Sequence, residues 1–143
     1  MQWGNEWTGA AEKALKRFNK RWPHEVTNIG VNLALVLENL SDGVHPEQLK
    51  KLPGVRSEPD GILAIDESGP GKGTKMKALR LYVFPDTRSR QLHVIQLGEK
   101  TNQQSRDIAA CKKYVSELLS QSVSIEDANE AKSGESDNDE QEI

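Results

Sequence analysis

The chain has 143 residues, with 19 Lys and Arg against 22 Asp and Glu, and 35% of its residues are hydrophobic. That length fits one ordinary domain, and no apolar run approaches the ~18 residues of a membrane span. A single cysteine, Cys111, excludes an internal disulfide and cannot anchor a zinc site alone.

The net charge of −3 hides a split. From Gln121 to Ile143 there are eight acids and one base, Lys132, so this stretch carries −7; residues 1–120 hold 18 bases and 14 acids and carry +4. A mildly basic body with an acidic extension is compatible with polyanion binding in a way that the overall pI of 5.7 conceals. The first residues, Met1 to Trp7, show no basic region followed by an apolar stretch. No signal peptide is therefore expected, and a cytoplasmic protein is the expectation.

In chain order, Trp7, Ala10, Ala11, Ala14, Leu15, Phe18 and Trp22 recur at spacings of three and four, which predicts an amphipathic helix. Thr8 is placed to cap it and Pro23 to stop it. Val26, Ile29, Gly30, Leu33, Leu37 and Leu40 predict a second helix ending at Asp42-Gly43, so the two form a hairpin turning at Pro23. A basic loop, His45 to Gly54, follows. The period then shortens, and Ile62–Ile65, Leu79–Phe84 and Leu92–Leu97 read as three strands, the last two joined by a turn at Pro85–Arg90. Ile108, Cys111, Val115, Leu118 and Leu119 mark a closing helix from Gln104 or Ser105. Past Ser120 the composition predicts disorder. Strands grouped together predict an α+β fold: an N-terminal helical hairpin, a small antiparallel meander and a C-terminal helix over residues 1–120, with a disordered acidic tail over 121–143.

Gly69-Pro70-Gly71-Lys72-Gly73-Thr74 superficially suggests a phosphate loop. Asp66 stands where a Walker A motif needs its first glycine, and Lys75–Ala78 leads into a strand rather than a helix. No nucleotide cofactor is expected. His24, His45 and His93 share no ligand spacing with one another or with Cys111, so no metal is expected either. Cys111 falls in the apolar phase of the last helix and reads as core, and the tryptophans Trp3, Trp7 and Trp22 read as core or partner-interface packing rather than base-stacking groups. His93 differs, lying inside an otherwise apolar strand, where it reads either as a satisfied, half-buried histidine or as one at the edge of a cleft able to exchange a proton near neutral pH.

Basic residues gather on the first helix opposite its apolar stripe (Lys13, Lys16, Arg17, Lys20, Arg21) and again around Lys50, Lys51 and Arg56. Lys72, Lys75, Lys77 and Arg80 enter the middle strand. Arg80 sits within Leu79-Arg80-Leu81, where a guanidinium needs a partner or a phosphate.

Leu49-Lys50-Lys51-Leu52, Leu79–Phe84 with Asp86, Leu92–Thr101 and Arg106-Asp107-Ile108-Ala109-Ala110 come in an order and spacing that resembles the RelE/HigB superfamily of bacterial toxins, particularly its phage-associated HigB-like branch. The resemblance covers Leu49 to Leu119, about half the chain. It implies a RelE-like sheet backed by helices and the toxin component of a toxin–antitoxin system. Such a toxin is an endoribonuclease that cleaves mRNA in the ribosomal A site, inhibits translation and is held inactive by a cognate antitoxin protein. Cleavage needs a 2′-hydroxyl deprotonated, a phosphate stabilised and a 5′-oxygen protonated. By position, Arg80 and Lys100 match basic residues that would stabilise the phosphate, His93 is the candidate acid or base, and Lys50, Lys51 and Arg106 would contact RNA. Glu99 replaces a second lysine after the last strand, and the run Ile62–Ile65 lacks the basic residue common there. A catalytically degenerate module binding RNA, the ribosome or protein is the alternative expectation. Neither reading involves a membrane.

Overall fold

A computed structural model of the chain describes residues 2–69, 75–101 and 103–135. The fold is α+β, with helices and a five-stranded mixed sheet. The strands are β1 (Gly4–Trp7), β2 (Val55–Ser57), β3 (Leu63–Ile65), β4 (Leu79–Asp86) and β5 (Gln91–Glu99), arranged in the order β1-β5-β4-β3-β2. The helices are α1 (Gly9–Arg21), α2 (Pro23–Ser41) and α3 (Gln104–Glu135), and a 3₁₀ turn spans Pro46–Lys51.

The expected helical hairpin forms for the expected reasons. Thr8 Oγ1 accepts from the Ala11 N–H at 3.1 Å, capping α1. Pro23 occupies the first turn of α2, where its missing N–H costs nothing, and its ring ends α1. Thr8 also donates its hydroxyl proton to the Ile95 carbonyl at 2.7 Å, so the same residue ties the helix start to β5.

Two strands were not expected. β1 pairs in parallel with β5, from Gly4 opposite Gln91 to Trp7 opposite Val94. Trp7 therefore belongs to an edge strand rather than to the first helix, and the sheet is mixed rather than a pure antiparallel meander. β2 pairs antiparallel with β3, Val55 opposite Ile65. Neither strand exceeds four residues, and neither shows an alternation that could be recognised before its partner is known. The remaining pairs, β3 with β4 and β4 with β5, are antiparallel as expected. In the β4–β5 ladder Tyr82 faces Gln96 while Val83 faces Val94, leaving Ile95 as the extra residue of a bulge.

Alternation gives the sheet two distinct faces. On one, Leu79, Leu81 and Val83 of β4, Leu92, Val94 and Leu97 of β5, and Leu63 and Ile65 of β3 join Ala11, Ala14, Phe18, Val26, Ile29, Val36 and Leu40 in a single apolar cluster under α1 and α2. Trp3, Trp7 and Trp22 pack against it, half-buried. The other face carries Arg80, Tyr82, His93, Gln96 and Gly98, and the start of α3 covers it, with Asp107 against Gly98.

α3 continues to Glu135 instead of ending near Ser120, so the backbone of residues 121–135 departs from the disorder expected there. Ala128, Glu130, Ala131 and Lys132 are strong helix formers, and no proline interrupts them. Residues 136–143 lie outside the described residues, as do Pro70–Thr74 of the glycine-rich loop. The chain divides between Lys112 and Lys113 into two compact units. Among the described residues no helix is long and apolar enough to cross a membrane.

Candidate nucleic-acid interface

The residues singled out from sequence do not converge. Arg80 is 4% exposed and does not face solvent. Its Nη1 donates to the Leu79 carbonyl at 2.9 Å and stands 3.6 Å from Glu67 Oε1. Glu67 Oε1 also accepts from the Leu79 N–H at 2.9 Å, so this carboxylate pins the start of β4 to the segment leaving β3. The partner that a buried guanidinium demands is Glu67, and that accounts for Arg80 without a phosphate. His93 is equally buried, its Nδ1 3.6 Å from Glu6 Oε1, the residue it faces across the β1–β5 pair. Lys100 and Arg106 are exposed beyond β5 and on α3, while Lys50 and Lys51 are exposed on the 3₁₀ turn. Lys50 borders a separate small cavity of about 100 Å³ with Ser57 and Leu63.

A different set of residues does converge. Because β1 ends at Trp7, β5 from Gln96 onward has no strand on that side, and α1 and the beginning of α3 stand on either side of the bare edge. Between them lies a cleft of about 470 Å³. Lys13, Arg17 and Arg21 line it from α1, Gln96 and Glu99 from β5, and Thr101, Gln103 and Asp107 from the far wall. Lys13, Arg17 and Arg21 are exposed and four residues apart, so they share one helix face. The apolar stripe of α1 fixes that rotation by burying Ala11, Ala14 and Phe18 against the sheet.

The two arginines are held against aromatic rings. The Arg17 guanidinium lies 4.9 Å from the Phe18 ring centroid, and that of Arg21 lies 4.8 Å from the Trp22 ring. Lys77 Nζ is also 5.3 Å from the Trp22 ring and bonds Glu99 Oε1 at 2.9 Å, so the charge of Glu99, one of two carboxylates lining the cleft, is balanced. Three further cationic groups, Lys13, Arg17 and Arg21, remain to set the potential of the opening.

Asp107, 4% exposed, forms part of the far wall. Burial raises its carboxyl pKa, and a hydrogen bond with Gln96 opposes that rise in part. Its Oδ2 has no hydrogen-bond partner among the described residues and packs directly on Gly98; a Cβ there would collide with it. Beside it, Tyr82 Oη is buried and equally unpartnered. Burial raises the Tyr82 pKa, with the Asp107 and Glu58 carboxylates adding to the effect. Burial likewise pushes the Cys111 thiol up to about 12, so this cysteine is an inert core residue.

The sequence contained both missed signals. Lys13, Arg17 and Arg21 are a strict four-residue ladder within a broader basic face. Asp107 is a carboxylate in phase with Cys111, four residues before it on the covered side of α3. What neither could show is that β5 lacks a neighbour between them. Among the described residues no group of three or more His, Cys, Asp or Glu side chains could hold a metal ion. Comparison of the chain with protein-family models, with curated proteins and with solved structures found no match.

Proposed function

We propose that this chain binds RNA through the α1 cleft and acts as the toxin of a toxin–antitoxin pair, cutting mRNA on the ribosome. The observation that carries the reading is the cleft, with Lys13, Arg17 and Arg21 along one wall. Guanidinium groups suit a phosphodiester because they match its geometry and the extra negative charge of its transition state. A small sheet backed by helices on both faces also supports the resemblance to RelE/HigB toxins. On this reading Lys13, Arg17 and Arg21 hold the backbone and stabilise the phosphate, whereas Arg80 and His93 position β4 and β5 from within. Lys100, Lys50, Lys51 and Arg106 add to the positive field around the body.

The burial of Arg80 and His93 favours a second reading, a module that binds RNA or the ribosome without cutting. The two readings separate on induction of the wild-type chain in a bacterial host without antitoxin, with growth followed alongside mapped mRNA ends. Growth arrest with new cuts inside translated codons is expected. Normal growth with soluble, folded protein overturns the toxin assignment, and arrest without cuts selects the non-cutting module.

A further inference from the structure

We infer that the cleft takes one strand of RNA by three successive phosphates, one each at Lys13, Arg17 and Arg21, and does not take a duplex. The inference rests on the RNA-binding reading above and adds the form of the ligand. Four residues of α-helix rise about 6 Å, so the three cations repeat at about the separation of neighbouring phosphates along a nucleic-acid strand. They lie on one line because residues 13, 17 and 21 follow a single ridge of α1. Lys16 and Lys20 belong to the same helix and are equally exposed, yet they do not line the cleft.

The dimensions select a strand over a helix. About 470 Å³ is the scale of a small-molecule pocket, enough for a sugar–phosphate segment but not for a double helix. The walls of the cleft divide the work. α1 supplies fixed positive charge, and Gln96, Thr101 and Gln103 supply neutral hydrogen-bonding groups suited to ribose hydroxyls. Base stacking is not the mode of recognition, because the nearest rings are already engaged: Arg17 stacks on Phe18, and Arg21 and Lys77 on Trp22. Those contacts hold the long arginine side chains near their working positions, which lowers the entropy lost on binding. Recognition through phosphates makes binding tolerant of sequence and sensitive to salt.

The test uses the full chain and a fluorescent RNA of about 12 nucleotides, alone or annealed to its complement. Fluorescence anisotropy should show the single strand bound about tenfold or more tightly than the duplex. The plot of log K against log salt should have a slope of about −2, from three phosphates at about −0.7 each. Arg17→Ala/Arg21→Ala should weaken binding about tenfold and reduce the slope to about −0.7. Lys16→Ala/Lys20→Ala removes the same charge from the same helix and should change affinity by less than about threefold. All four residues are exposed, so both variants should retain the wild-type circular dichroism spectrum. If the alanine variant unfolds, Arg17→Lys/Arg21→Lys should keep the salt slope. Equal affinity for duplex and strand, or equal weakening by the two double alanine variants, overturns the inference. Strand-selective binding by a chain that neither arrests growth nor cuts mRNA overturns the toxin assignment while leaving this inference in place.

Discussion

The two faces of the sheet are built by the same strands and obey different rules. Under α1 and α2 the packed groups are Leu, Ile, Val, Ala and Phe, and none needs a particular partner. Under the start of α3, β4 and β5 present Arg80, Tyr82, His93 and Gln96, and each polar group there must be matched or left unsatisfied. Arg80 is matched by Glu67, and His93 Nδ1 stands 3.6 Å from Glu6 Oε1, while Tyr82 Oη and Asp107 Oδ2 have no partner among the described residues. The apolar face thus stabilises the fold through buried area, which is non-directional. The polar face contributes register, and beside its open edge lies the cleft that the functional reading needs.

Three substitutions sharpen or break that contrast. Leu81→Ala, on the apolar face, should have the largest effect, costing about 2–5 kcal/mol through lost burial and the cavity left behind. Urea denaturation should show a lower midpoint with an unchanged slope; a loss below about 1 kcal/mol would place Leu81 outside a close-packed core.

Asp107→Asn should have a smaller effect whose size depends on pH. The folded pKa of Asp107 is raised above its ordinary 3.8, so the folded state holds this proton more tightly than the unfolded state does. That contribution is fully present below the ordinary value and is lost as pH rises through the folded value. The wild type should therefore lose stability relative to Asp107→Asn as pH rises above the ordinary carboxyl value, a trend absent for Leu81→Ala. A stability gap that stays constant with pH would remove the perturbed carboxyl from the far wall of the cleft.

Tyr82→Phe should have the smallest effect, opposite in sign to that of Leu81→Ala. Removing an unpartnered buried hydroxyl should be neutral or stabilise the fold by up to about 1 kcal/mol. A clear loss of stability on thermal or chemical denaturation would mean that the hydroxyl has a partner, and that the polar face is better satisfied than it looks.

What the sequence determined by itself were the local features. Thr8 and Pro23 bound the first helix because capping and ring sterics act within a few residues. The runs Leu79–Phe84 and Leu92–Leu97 were legible as strands, and Cys111 as core, because apolar periodicity reports which side is buried. The requirement that Arg80 have a partner was also legible; the identity of that partner was not. Only the tertiary structure decided that Glu67 meets Arg80, that Gly4–Trp7 pairs with a strand more than eighty residues away, and that β5 is left bare beyond Val94. The candidate site follows from that last fact, since its walls come from α1, β5 and α3. Side-chain chemistry and local period are written residue by residue, but strand partners are chosen by long-range pairing, in which a four-residue segment has little intrinsic preference and the packed whole decides.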